Sequence, residues 1–181
     1  CNSNDLIREY TGNLLKGDIE ALKRTAEINK VGVDEFIFIL VNWLKPIMAL
    51  LTDIGKDKIN NDEWLMNNCP FCGYFPDMAK IVGSMDGKRF LHCALCENEW
   101  GYKRLCCTIC GNENSDTLGF FQTETETETT YRIDYCDKCK GYIKSISISK
   151  FQSPDKFDLT VENIITPHLD SLAMAKGYIR L

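Results

Sequence analysis

Histidine is scarce in this sequence. The chain has two, His92 and His168, far apart, and it carries no Ser or Cys elbow motif beside either. No histidine-based catalytic set can be assembled from such a sequence. Positive charge is also short. Lys and Arg number 21 against 26 Asp and Glu, which gives a net charge of −5 and a pI near 5.1. A protein whose main work is gripping phosphates is normally basic, and no segment here forms a basic arm, so a nucleic-acid partner is disfavoured. Long apolar runs are missing as well. The longest, "FIFILVNWLKPIMALL" at 36–51, is interrupted by Lys45 and Pro46, whereas a bilayer span needs roughly 20 uninterrupted apolar residues. No secretion signal is visible, and the opening residue is Cys1 rather than Met, as in a fragment or a processed product.

Cysteine, in contrast, is abundant. Of ten, eight fall into four C-x-x-C pairs: Cys69/Cys72, Cys93/Cys96, Cys107/Cys110 and Cys136/Cys139. Secreted disulfide frameworks are usually shorter and spread their cysteines irregularly; repeated C-x-x-C spacing reads as metal binding in a reducing compartment. The pair works as a chelate because a tight turn aims two thiolates at one centre about 2.3 Å away. Glycine follows the second cysteine directly in "CPFCG" and "CTICG" and one residue later in "CDKCKG"; "CALCE" lacks it. Glycine is expected to permit the turn.

The pairs also form a tandem repeat. Cys69 to Cys107 and Cys72 to Cys110 are both 38 residues; Cys93 to Cys136 and Cys96 to Cys139 are both 43. The second copy thus has five extra residues, where "TETETETT" (123–130) lies as the expected solvated tip of a hairpin. The shared spacing selects Cys107 over the adjacent Cys106. Each copy reads C-x₂-C, an arm, then C-x₂-C, which predicts two four-thiolate sites: Cys69, Cys72, Cys93, Cys96 and Cys107, Cys110, Cys136, Cys139. Each would hold one ion, iron or zinc, since both suit tetrahedral sulfur. A closed four-sulfur site leaves no open coordination position for catalysis. Cys106 is expected to be an inert thiol, and His92 a neighbour of the first site or a surface residue.

The predicted fold class is α plus small β: a helical region (1–65), two tandem rubredoxin-like or zinc-ribbon-like four-cysteine modules (66–104 and 105–147), and a C-terminal helical tail (148–181). In the first region Gly17 ends one helix, Asp18 caps a second, Asp34 caps a third, and Pro46 kinks or restarts the chain. Phe36, Phe38, Trp43 and Met48 are expected in the core. Strand-like runs are "MAKIVGS", "KRFLHC", "TLGFFQ", "TYRIDYC" and "YIKSISI", the first two flanking an Asp-Gly turn signal at Asp86-Gly87.

The order "CPFCGYFP…RFLHCALCENEW…RLCCTICG…YRIDYCDKCKGYIK" resembles the formate dehydrogenase accessory protein family, the FdhE-like proteins. The matching positions are Cys69, Pro70, Cys72, Gly73, Pro76, Leu91, Cys93, Leu95, Cys96, Glu99, Trp100, Arg104, Cys107, Cys110, Cys136, Cys139, Tyr142 and Lys144, with "LDSLAMAKGYIR" (169–180) like the family's closing helix. The resemblance implies a cytoplasmic, rubredoxin-like iron-binding protein that assists formate dehydrogenase by binding its molybdenum- or tungsten-containing catalytic subunit. Family members generally have a longer N-terminal region, and Cys106 lies outside the pattern. The expected function is therefore a non-enzymatic assembly chaperone. The alternatives are a redox or sulfur-handling protein and a zinc-ribbon nucleic-acid binder.

Overall fold

The computed structural model describes residues 3–59, 64–122 and 130–180; most of "TETETETT" lies outside them. Three helices come first: α1 (Ser3–Lys16), α2 (Ile19–Ile28) and α3 (Val33–Gly55). Gly17, at φ +69°, turns the chain after α1. The Asp18 carboxylate accepts the Ala21 N–H at 3.0 Å and caps α2. Helix α3 starts two residues earlier than its sequence suggests, so Asp34 lies in the first turn and Gly32 holds the cap position.

Pro46 does not break α3; the helix runs through it. Leu40, Leu44, Met48 and Thr52 recur every fourth residue on the buried face. Packing of that stripe against the rest of the core outweighs the one hydrogen bond that proline removes. The opposite face is open. Phe38 is 68% exposed and Trp43 48%, so these two leave the expected core, whereas Met48 is buried and Phe36 half-buried. With the proline absorbed, Val33–Lys58 is long and apolar enough to cross a membrane by length and composition.

Six strands follow: β1 (Pro76–Val82), β2 (Lys88–Cys93), β3 (Glu99–Tyr102), β4 (Leu118–Gln122), β5 (Thr130–Cys136) and β6 (Tyr142–Ile148). Asp86 and Gly87 both take positive φ (+55° and +71°) between β1 and β2, the geometry a tight Asp-Gly turn requires. The two cysteine repeats do not stand apart. Their strands form one sheet in the order β3-β2-β1-β6-β5-β4, antiparallel within each repeat and parallel where β1 meets β6. The first strand of one copy thus pairs with the last strand of the other, a head-to-tail junction. Both junction strands are buried along most of their length, as parallel pairs must be.

The sheet is covered on both faces. Leu14, Leu22, Leu40, Leu44 and Met48 of the three helices pack with Ala79, Leu91, Trp100 and Ile143. Alternate residues point the other way. There Met78, Ile146 and Ile148 meet Leu159 of α4 (Leu159–Ile165), and Ile133 and Tyr142 meet Leu169 and Ala173 of α5 (Pro167–Ala175). The Asp158 carboxylate caps α4, and Pro167 opens α5.

Lys144, fully buried on this second face, explains how the C-terminal helices are tied down. Its ammonium donates to Asp170 Oδ2 at 2.7 Å and to the carbonyls of Asn163 and Thr166 at 2.8 and 3.3 Å. Tyr142 and Arg180 share the other oxygen of Asp170. Arg180 also reaches the Asp77 carbonyl, while Asp77 takes hydrogen bonds from Asn163 and pairs with His92 Nδ1 at 2.7 Å.

Candidate metal centres

Each cysteine pair sits in the same backbone turn. The N–H of the first cysteine donates to the carbonyl five residues on: Cys69 to Tyr74, Cys93 to Asn98, Cys107 to Asn112 and Cys136 to Gly141, at 2.8–3.0 Å. The residue after the second cysteine takes the left-handed conformation. It is Gly73 or Gly111 in the first turn of each copy, but Glu97 or Lys140 in the second, at φ +59° and +58°. The glycine of "CDKCKG" is therefore not the residue that makes that turn.

These turns gather the sulfurs into two cages. Cys69, Cys72, Cys93 and Cys96 form one and Cys107, Cys110, Cys136 and Cys139 the other, all four sulfurs of each lying within 4.8 Å of one another. All eight sequence-predicted positions are thus brought together, in the register the spacing selects. Closest cross-pair separations are 3.4 and 3.5 Å in the first cage and 3.7 and 3.9 Å in the second. A tetrahedral ion with 2.3 Å bonds to sulfur has edges of about 3.8 Å, so both cages fit such an ion. A disulfide would need sulfurs at about 2.05 Å, and the nine described cysteines are all free thiols.

The surroundings favour anionic sulfur. Backbone N–H groups of Phe71, Leu95 and Cys96 point at sulfurs of the first cage, and those of Ile109 and Cys110 at Cys107, at 3.4–3.5 Å. Asn98 Nδ2 reaches Cys69 Sγ at 3.8 Å and Asn112 Nδ2 reaches Cys136 Sγ at 3.5 Å. These two asparagines were not among the sequence-predicted residues; their shared place, five residues after a cysteine, was the available signal. Such donors spread the charge of a four-thiolate site.

Without a cation the four thiols of a cage compete. In the first, hydrogen bonding to Cys69 holds the Cys96 thiol well below its ordinary range, while the same neighbour pushes Cys72 and Cys93 up. In the second, burial raises Cys107 to about 12. Burial also opposes ionisation of Cys136, but the N–H groups of Cys139 and Lys138 outweigh it and bring that thiol to about 7. A divalent cation removes the conflict by stabilising all four thiolates.

The cages differ in cover. Helix α3 and Trp100 close the first, where Cys69, Cys93 and Cys96 are buried. In the second, Cys110 is exposed and Cys139 half-exposed. His92 is bound to Asp77 and belongs to neither cage. Cys106 is buried, 3.3 Å from the Tyr102 hydroxyl, and also outside both.

Residues 68–104 match the model of the FdhE central domain. A Protein FdhE homolog of Aquifex aeolicus is 34% identical over 178 residues, covering 96% of this chain and 59% of the relative. One from Shewanella oneidensis is 42% identical over 113 residues, covering 62% and 35%. The crystal structure of the FdhE protein from Pseudomonas aeruginosa superposes with a TM-score of 0.54 at 27% identity, over 63% of this chain and 38% of that one. The chain therefore spans between about a third and three fifths of the lengths of these proteins. The stretch that builds the first cage and the strands behind it matches the FdhE central domain, and nearly the whole chain is similar to an FdhE homolog.

Proposed function

We propose that this chain is a non-enzymatic accessory protein of formate dehydrogenase, which binds the catalytic subunit during maturation in the cytoplasm. In this reading Cys69, Cys72, Cys93 and Cys96 hold one ion, iron or zinc, and Cys107, Cys110, Cys136 and Cys139 hold another. The observation that carries it is the pair of four-sulfur cages built into one sheet in an FdhE relative. Among the described residues each candidate group consists of four cysteines, enough for a bound tetrahedral ion to be saturated by protein with no position for substrate. The ion's contribution is to fix the knuckles. The cysteine turns aim the sulfurs, the backbone amides and Asn98 and Asn112 share their charge, and the sheet presents a fixed surface to the partner.

Elemental analysis of gently purified protein, beside a pull-down with the catalytic subunit of formate dehydrogenase, tests the reading. Two metal equivalents and co-purification are expected. Metal without co-purification, under both aerobic and anaerobic conditions, removes the functional assignment and leaves the cages standing.

The exposure of Cys110 favours a second reading, in which the outer cage holds rubredoxin-type iron and passes electrons. That reading requires a visible absorbance that bleaches on reduction; a colourless, zinc-loaded protein removes it.

A further inference from the structure

A cavity of about 160 Å³ lies on the face of the sheet that carries α1–α3, over the second repeat, between β4, β5 and the segment 104–109. Its volume equals roughly five waters' share of liquid. Arg89 and Arg132 both line it. The Arg89 side chain is 3% exposed and that of Arg132 13%, and the Nε–H of each is buried with no hydrogen-bond partner. Three of the other guanidinium nitrogens have partners. Arg89 Nη1 donates to the Cys106 carbonyl at 3.1 Å, and its Nη2 lies 3.7 Å from Asp134; Arg132 Nη2 lies 2.8 Å from the other Asp134 oxygen.

Two buried guanidiniums face the one carboxylate of Asp134, which also accepts from the Ser145 hydroxyl. Arg104 lines the cavity too, as do Cys107 and Cys136 of the second cage. Burial acts against the charge on Arg89, Asp134 supports it, and Arg132 opposes it again. The two unpartnered Nε–H groups are donors that a further anion would satisfy. A carboxylate offers its oxygens to the two unpartnered Nε–H groups and leaves an apolar body for the apolar part of the wall, which phosphate and sulfate lack. The rest of the wall is largely apolar, with Leu118, Phe120 and Ile143.

We propose that this cavity is a carboxylate site, in which Arg89 and Arg132 receive the anion and the apolar wall receives a short apolar body attached to it. The carboxylate belongs either to a small free acid or to the C-terminus of a polypeptide. The cavity shares Cys107 and Cys136 with the second cage, but the proposal does not rest on the accessory role.

The experiment uses the metal-loaded 181-residue chain with ¹⁵N-labelled arginine, following the Nε–H resonances of Arg89 and Arg132. Propionate, its neutral analogue propionamide, and a short peptide with a free or an amidated C-terminus are titrated separately. Propionate or the free-acid peptide should shift both resonances and saturate at or below about 10 mM, with each neutral counterpart at least about tenfold weaker. Saturation by propionate assigns a small acid; saturation by the free-acid peptide alone assigns a chain terminus. Arg132→Gln should abolish saturation. Asp134→Asn, which removes the competing charge, should tighten binding about tenfold and keeps the test decisive if the arginine variant misfolds. No saturation by either acid, equal binding of the neutral forms, tighter binding of sulfate, or weaker binding in Asp134→Asn would overturn the proposal.

Discussion

Lys140 and Glu97 hold the turn position that glycine holds in the partner pairs, and a left-handed backbone costs a side-chain-bearing residue about 1–2 kcal/mol. At Lys140 the offsets are small, an ion pair with Asp137 between two exposed side chains and an exposed ammonium 5.6 Å from the Tyr178 ring. Lys140→Gly should therefore raise stability by about 0.5–1 kcal/mol, read as a higher melting temperature at unchanged metal content. Neighbouring thiols are separated just as sharply. Cys107 faces Cys139 across the second cage, while Cys106 turns to Tyr102. Cys107→Ser should release one metal equivalent, and Cys106→Ser none, by elemental analysis; the reverse result would move the cage by one residue. The sequence showed this register because a repeat fixes which thiols are equivalent. It could not show the left-handed residues, since glycine is a cue for positive φ and these two turns adopt it without one.

Helix α3 illustrates what local signals miss at the scale of an element. Proline read alone predicts a break, and an apolar helix read alone predicts burial all round. Tertiary packing decides both. The Leu40-Leu44-Met48 stripe holds the helix together through Pro46, and Phe38 is left outside. Leu44→Ala should cost about 2–5 kcal/mol by cavity formation, whereas Phe38→Ser should change stability by no more than about 0.5 kcal/mol; denaturant midpoints separate the two. The C-terminal helices depend instead on a polar anchor. Asp77 is buried, which by itself raises its pKa, but His92, Lys45 and Arg180 together prevail and lower it. A carboxylate lowered in the folded state contributes stability above its unfolded pKa, and that contribution is lost as pH falls through the folded value. Wild type should thus lose stability relative to Asp77→Asn as pH drops below about 4, the difference between the two curves isolating this group from acid release of metal. Strand-like periodicity made five of the six strands readable; β3, only four residues long, carries too little pattern.

Across the whole molecule, one fact the spacing could not reveal governs how the two cages behave. A repeat in sequence says nothing about whether its copies associate, and here β1 and β6 join them into one sheet, with α1–α3 packed on the cluster that holds the first cage and α5 on the second copy. The copies are alike in their ligands and unlike in their cover. Breaking the first cage removes the floor on which α1–α3 pack, because its cysteines belong to the same cluster as Leu22, Leu44 and Trp100. Breaking the second leaves that cluster in place, because none of its cysteines belongs to it. A chelator should accordingly remove metal in two phases. The faster phase should come from the cage containing exposed Cys110 and leave the helical circular dichroism nearly intact, and the slower should coincide with loss of helix. Cys110→Ser should delete the fast phase alone, and Cys93→Ser should destabilise the helices even before chelator is added. A single phase in the wild type, or helix loss accompanying the first equivalent, would mean that the shared sheet makes the two sites one cooperative unit.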